Sequence, residues 1–461
     1  MSNLRFKAAM LISKSVSVGM KALRRQASYL PGKLALKICP DFLSYIGRPK
    51  TIVAVTGTNG KTTVSNMITS VLTANGYSVT NNGYGSNIDA GVTSTLIEYS
   101  TFTGRPKRDL AVLEVDERSS LRIYPHLKPD YVVCTNIMRD SIKRNANTDF
   151  ISYIISSALP ASAKLILNGD DIICSALGSP ENARVYFGVS CMLGGETSDN
   201  SAIVKDIAYC PSCGAELKCK YLRYNHIGRV YCPSCGFASP EPDYCVTSVD
   251  TASGEMTVSQ RGIQYQYRLV NDNIANIYNT AAAIALLDQL GLNAKAIADG
   301  LEKTKIVSSR FDREICCGKT VTLQLAKSQN PIACSRAFDY MRKTEGNAKT
   351  VILMIDDIHD NTNNTENICW MYDCDYSPFT DPSVSQIVIG GPRCRDHVLR
   401  AMLDGVDISK IVTADTVFET VGLADVKNCD SVFILYDLYL VNDAKKVKKM
   451  ITEKIREVCA Q

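Results

Sequence analysis

Hydrophobic residues in the first half of the chain fall into short runs at 51–56, 77–80, 110–115, 131–135, 164–168 and 185–189, and between the runs they recur every three or four positions. Runs of that length read as buried strands, and the spacing between them reads as amphipathic helix. The pattern predicts a parallel sheet with helices on both faces, binding ligands beyond the carboxyl ends of its strands. At 271–290, NDNIANIYNTAAAIALLDQL predicts a further helix with a small, apolar face and with Asn276 and Asn279 on one side. SSRFDRE at 308–314 reads as a linker. A second α/β run follows at 320–326, 350–355, 387–390, 410–413 and 431–436, and ends in a basic helix near 440–459.

The stretch from Thr51 to Leu72 carries the clearest chemistry. Ile52, Val53 and Val55 form the strand, and Gly57 and Gly60 permit a tight turn with bare amides. Lys61 supplies a cation, and Val64, Met67, Ile68, Val71 and Leu72 mark one face of a helix. Strand, glycine turn and helix N-terminus together make a phosphate cradle. Thr62 is placed to offer its hydroxyl to a phosphate-bound magnesium ion. The general GxxxxGKT spacing would need glycine at 55, where Val55 stands, so the loop is a short form. At the end of the 110–115 strand stand Glu114, Asp116 and Glu117, of which Glu114 is the better magnesium candidate.

Cys210-Pro-Ser-Cys213 and Cys232-Pro-Ser-Cys235 are separated by eighteen residues. Paired knuckles at that spacing fit a four-thiolate zinc ribbon, with iron as the alternative metal. Four ligands leave no open position, so the metal is expected to be structural. Cys219 and His226 lie between the knuckles as bystanders.

A length of 461 residues allows two or three domains, and 45% hydrophobic with 21% charged residues suits a folded globular protein. A net charge of +4 gives no reason to expect nucleic acid, and no apolar run is long enough to span a bilayer. Eighteen cysteines without a secretory leader point to a reducing compartment, and so to the cytoplasm. Arg5, Lys7, Lys14, Lys21, Arg24 and Arg25 alternate with apolar residues in the leading segment. Such a basic helix packs on its own domain with a solvated face, or lies on the inner face of an anionic membrane.

GTNGKTT at 57–63, LEVDE at 113–117, TN at 135–136, the four-cysteine ribbon, NIYNTAAA at 276–283, SRFD at 309–312 and the leading LPGK at 30–33 occur together. The loop resembles that of the Mur ligase and folylpolyglutamate synthase superfamily, which forms amide bonds through acyl phosphates. The whole set resembles the MurT family, the synthetase subunits of lipid II isoglutaminyl synthase. The resemblance implies a helical lead at 1–50, a Mur-ligase-like P-loop ATPase domain at 51–308 with the ribbon inserted at 208–238, and a Rossmann-like, partner-facing α/β domain at 309–461.

It also implies ATP-dependent amidation of the α-carboxylate of D-glutamate in the lipid II stem peptide, with ammonia from a GatD-type glutaminase. Lys61 and the loop residues Gly57, Thr58, Asn59, Gly60, Thr62 and Thr63 would bind the phosphates. Thr62 and Glu114 would hold magnesium, Asn276 and Asn279 would lie near the adenine, and Arg310 would reach the γ-phosphate. The chain lacks a glutaminase of its own. None of its cysteines sits in a GxCxG elbow, and it has only four histidines.

Three segments depart from the family pattern. Asp356-Asp357-Ile358-His359-Asp360, an Asn-rich stretch and Cys369-Trp370-Met371-Tyr372-Asp373 replace a compact acidic motif thought to face the glutaminase. Asp357, or else Asp360, takes the partner-facing role. Arg139-Asp140-Ser141-Ile142-Lys143-Arg144 lacks one of the family's acids, and Leu325 to Pro331 replaces a compact KNP. Two other readings stay open: a Mur-type amino-acid ligase acting without a glutaminase, and a zinc-ribbon, ATP-driven nucleic-acid module using Tyr209, Tyr221, Arg223, Tyr224, Arg229 and Tyr231.

Overall fold

The run TIVAVT forms strand β1 (Thr51–Thr56), buried at every position after the first. In the computed structural model, which describes residues 2–83, 86–140, 145–193, 196, 206–270, 273–304, 311–355 and 368–460, this strand lies inside a nine-stranded sheet. Its parallel neighbours are β3 (Leu110–Glu114) on one side and β4 (Tyr131–Cys134) on the other, with β2 (Val79–Asn81) beyond β3. Beyond β4 follow β5 (Lys164–Asn168) and β6 (Arg184–Val189), also parallel. The chain builds outward from β1 in one direction and then the other, so the reversal of strand order falls at the end of β1. In parallel α/β sheets that crevice is where ligands bind.

A two-stranded hairpin of β7 (Lys218–Tyr224) and β8 (Ile227–Tyr231) carries the cysteine knuckles. After it, β9 (Tyr244–Asp250) joins β6 in parallel, and β10 (Glu255–Gln260) and β11 (Ile263–Arg268) extend the sheet antiparallel. The sequence reading assigned no elements to this tail. Its signal is alternation rather than a run: Met256, Val258 and Gln260 are buried while the residues between them are not.

The helices follow the expected spacing. They are α1 (Ser2–Ala22), α2 (Leu30–Ile38), α3 (Phe42–Tyr45), α4 (Lys61–Ala74), α5 (Asp89–Glu98), α6 (Ser120–Leu127), α7 (Thr148–Ala158), α8 (Ile172–Ser175), α9 (Ile274–Gln289) and α10 (Ala294–Glu302). In α4, Val64, Met67, Ile68, Val71 and Leu72 are buried, as their periodicity requires. The helical lead shares this unit's core. Phe6, Met10, Ala35, Phe42 and Leu43 cluster with Ile52, Leu113 and Leu165.

The described residues from Phe311 onward belong to a second compact unit. Its six-stranded sheet runs β12 (Phe311–Cys316), β13 (Lys319–Leu325), β17 (Ser431–Tyr436), β14 (Lys349–Met354), β15 (Val384–Gly390), β16 (Ile411–Ala414), and is parallel except for β12 against β13. The predicted linker is therefore strand from Phe311 onward, folded back through a turn in which Cys317 (φ 50°) and Gly318 (φ 77°) both take positive φ. The expected basic helix closes the chain at Val441–Ala460.

Candidate active site

The loop after β1 turns on its two glycines, Gly57 at φ 117° and Gly60 at φ 91°. A side chain at Gly57 would begin 2.4 Å from Thr135 Oγ1, and one at Gly60 would begin 2.3 Å from Asn279 Oδ1. Both positions need glycine for conformation and for room. Gly60 is the N-cap of α4 and offers no side chain to the first-turn amides, so those donors are left for an anion. Thr62 and Thr63 lie half-buried in that first turn.

Lys61 Nζ bends back over the loop and donates to the Gly57 carbonyl at 2.5 Å and to Glu117 Oε1 at 2.7 Å. The pair is almost wholly enclosed. Burial alone would lower the lysine pKa, but the Glu117 carboxylate, with Glu114 and Asp116 behind it, raises it above the ordinary value and holds the ammonium charged. Glu114 is fixed by neighbours: Asn87 Nδ2 donates to its carboxylate at 3.0 Å, and Asn82 bonds both its N–H and its carbonyl. All three acids are buried, at 8%, 8% and 3% exposure for Glu114, Asp116 and Glu117. Glu117 is taken up by Lys61, and the three acids do not converge on one point, so Glu114 is the carboxylate here left to offer a hard oxygen to a divalent cation such as magnesium.

The sequence reading gave Thr135 and Asn136 no task, yet they lace the loop. Thr135 Oγ1 donates to the Asn59 carbonyl at 2.6 Å, Asn136 Oδ1 accepts from Asn59 N at 3.0 Å, and Thr58 N donates to the Asn136 carbonyl at 2.8 Å. Thr58 Oγ1 accepts from Met138 N at 2.8 Å and donates to its carbonyl at 3.0 Å. The loop is thus pinned from the end of β4. Register explains the meeting, since Thr56 lies opposite Cys134 at the end of both strands. Glu117 was likewise passed over in favour of Glu114, although LEVDE placed both at one strand end.

Asn276 and Asn279 occupy the first turns of α9, as their spacing predicts, with Asn279 Nδ2 3.4 Å from Asn276 Oδ1. Asn279 reaches the loop, against Gly60. Arg310, Asp357 and Asp360 lie outside the described residues. The strand that precedes the Asp356–Asp360 stretch is wholly buried, and on its far side Trp370 is buried with its ring 6.3 Å from that of His397.

Cys210, Cys213, Cys232 and Cys235 bring their sulfurs within 4.8 Å of one another, and no other group of potential ligands among the described residues does so. The Cys210–Cys235 and Cys213–Cys232 separations are 3.6 and 3.5 Å. Sulfurs about 2.3 Å from a central ion in tetrahedral array would sit slightly under 4 Å apart, so the set fits zinc. Gly214 (φ 74°) and Gly236 (φ 77°) make the knuckle turns.

Cys219 and His226 stand outside this cluster, but His226 is no bystander. Its Nε2 lies 3.1 Å from Asp171 Oδ1, and its Nδ1 lies 3.7 Å from Asp206 Oδ2. Burial would lower its pKa, but the two carboxylates raise it to about 9, so the ring is an imidazolium. Asp171 Oδ2 in turn accepts from Ile137 N at 2.7 Å, next to Met138, which holds Thr58. The basic and aromatic residues around the ribbon are spent on the same docking. Arg223 pairs with Glu196 at 2.7 Å, Tyr221 donates to the Val189 carbonyl at 2.9 Å, and Arg229 binds the Pro240 carbonyl at 2.6 Å. Tyr209 and Tyr231 remain exposed.

Residues 327–438 match the MurT ligase C-terminal family and residues 55–189 the Mur ligase middle domain. The chain is 30% identical over 421 residues to the lipid II isoglutaminyl synthase (glutamine-hydrolyzing) subunit MurT of Staphylococcus aureus (strain COL), covering 91% of this chain and 92% of that protein. The Streptococcus pneumoniae subunit of the same name is 28% identical over 439 residues, covering 94% of each. Among solved structures, a pseudomurein peptide ligase type C from Methanothermus fervidus superposes with a TM-score of 0.68 at 20% identity, over 92% of this chain and 84% of that one. That likeness shows a Mur-ligase-like α/β fold.

Proposed function

The chain belongs to the MurT family of lipid II isoglutaminyl synthase subunits, and on that premise we propose that it activates a carboxylate of lipid II with ATP for conversion to an amide in peptidoglycan synthesis. The observation that carries this reading is Lys61 lying over a glycine cradle, in contact with a buried acid at the neighbouring strand end.

A carboxylate is a poor electrophile. One carboxylate oxygen of the D-glutamate residue attacks the γ-phosphorus of ATP, the bond to the bridging oxygen breaks, and ADP leaves with the electron pair. Ammonia then attacks the acyl carbon, inorganic phosphate departs, and the nitrogen sheds a proton to give D-isoglutamine. Lys61 and the amides of residues 57–63 follow the phosphates and neutralise charge as it moves. Thr62 and Glu114 would hold magnesium, which when bound supplies further charge neutralisation at the phosphates. Asn276 and Asn279 would contact the base, and Arg310 the γ-phosphate. No side-chain nucleophile is required.

The subunit designation of the relatives implies a partner. We assign it as a GatD-type glutaminase that supplies the ammonia, facing the domain from 309 onward, with Asp357, or Asp360, as the acid turned towards it. The four thiols of the ribbon hold structural zinc. None of the eighteen cysteines is joined in a disulfide, and cysteines used as metal ligands and core residues suit a reducing compartment. A lipid-linked substrate puts the work at the cytoplasmic membrane face.

Ammonium chloride replaces the partner in the test. Purified chain with ATP and magnesium should form ADP only when lipid II and ammonium are both present, and hydroxylamine should trap the activated carboxyl as a hydroxamate. ADP formation that needs an amino acid instead of ammonium would replace this reading with the amino-acid ligase.

A further inference from the structure

The outward face of α1 is apolar. The helix is fixed on its domain by Phe6, Ala9, Met10, Ser13 and Ser17, all buried, with the Phe6 ring 5.0 Å from that of Phe42. Lys14 is buried as well, and its ammonium donates to the carbonyls of Ile97 and Glu98 at 2.6 and 2.8 Å, at the end of α5. Lys21 pairs with Glu98 at 2.5 Å. These contacts fix which side of α1 faces out.

On that side Leu4, Leu11, Ile12 and Val18 are exposed by 76, 57, 46 and 51%, and Leu23 just beyond the helix by 73%. Ala8, Ser15 and Gly19, also exposed, lie among them, so the middle of the strip carries no charge. A surface helix ordinarily turns charged side chains to water and keeps apolar ones inward. Here both faces are apolar, and the cations stand at the margins: Arg5 and Lys7 beside the strip, Arg24 and Arg25 past its end. The first forty residues contain eight lysines and arginines and not one aspartate or glutamate before Asp41. No helix among the described residues is long and apolar enough to cross a membrane.

We propose that α1 is a membrane-docking element, its aliphatic strip entering the headgroup–acyl boundary of an anionic bilayer while Arg5, Lys7, Arg24 and Arg25 meet the lipid phosphates. The charge of the segment selects this occupant. An acid-free cluster of cations flanking exposed leucine, isoleucine and valine complements anionic lipid in both its layers. A protein-binding patch of this size would more commonly centre on aromatic side chains, and the strip has none. The inference rests on the reading of the substrate as lipid-linked, because docking brings the ATP domain to the plane in which such a substrate is held.

The test is flotation of the full chain, together with its partner subunit, on vesicles of phosphatidylcholine alone and of phosphatidylcholine with phosphatidylglycerol. The protein should float with the anionic vesicles, should be released by raised salt, and should stay in solution with the neutral ones. Leu11→Asp with Val18→Asp should weaken binding by about tenfold or more. Arg24→Ser with Arg25→Ser should weaken it by roughly fivefold per residue. All four side chains are exposed, so melting temperature and nucleotide binding should not change. Equal recovery with and without anionic vesicles, or binding insensitive to the strip variants, would overturn the proposal. Strip variants that release the partner subunit or dissociate a dimer, with vesicle binding intact, would overturn it too and make the strip a protein interface. Flotation needs neither ATP nor lipid II. Vesicle binding without amidation would therefore leave the docking surface standing while the enzymatic reading fails, and amidation without vesicle binding would do the reverse.

Discussion

Lys61 Nζ and Glu117 Oε1 lie 2.7 Å apart in an enclosed site, and this contact joins the glycine loop to the acids at the end of β3. The pair holds the ammonium above the loop. Lys61→Ala should abolish lipid II-dependent ADP formation, a loss of about a hundredfold or more, because the charge it supplies is felt mainly as the phosphoryl group moves. Glu117→Ala should also destabilise the fold by about 3 kcal/mol, because it leaves a buried ammonium with less compensation. Urea unfolding separates the two effects, since Glu117→Gln, which keeps a hydrogen-bond acceptor, should cost clearly less than Glu117→Ala.

Gly60 combines positive φ with the close approach of Asn279. Gly60→Ala should therefore weaken nucleotide binding by about tenfold or more through strain and displacement of the Asn279 amide. Equilibrium binding of a fluorescent ADP analogue reads this directly. Asn279→Ala in the same background relieves the collision but not the backbone strain, so it should restore only part of the affinity.

The His226 imidazolium, raised to about 9 by Asp171 and Asp206, makes stability depend on pH. Its folded pKa lies above the ordinary histidine value, so its contribution is fully present below about pH 6.5 and is lost as pH rises through about 9. The contribution is on the order of 2–3 kcal/mol. Denaturant midpoints of the native chain should fall between pH 6.5 and 9, and His226→Gln should flatten that fall.

Zinc should be present at one ion per chain, and Cys213→Ser should lose it. Loss of metal should loosen the hairpin that carries His226, and with it the Asp171 contact to the Ile137 amide behind the loop. A lower melting temperature accompanied by weaker nucleotide binding is the expected result, with zinc measured by atomic absorption.

The sequence made the parallel sheet, the cradle and the thiolate set legible because each depends on local signals: runs of Val and Ile, glycines at a turn, cysteines at fixed spacing. It left β9–β11 unread because half-buried antiparallel strands carry only weak alternation, as in Glu255–Gln260. It misread Phe311–Cys316 as linker because an edge strand of mixed polarity becomes strand only by pairing with Lys319–Leu325. Thr135, Asn136, Glu117 and His226 escaped assignment because their partners are distant in sequence. His226 and Asp171 are fifty-five residues apart, joined only when the ribbon hairpin docks.

Mass spectrometry of lipid II after incubation with this chain, a GatD-type glutaminase, ATP, magnesium and glutamine tests the central claim most directly. One carboxyl should become an amide, and none should do so with Lys61→Ala in place of the native chain. Lipid II left unchanged even with free ammonium, while ATP is consumed when an amino acid is added, would contradict the assignment.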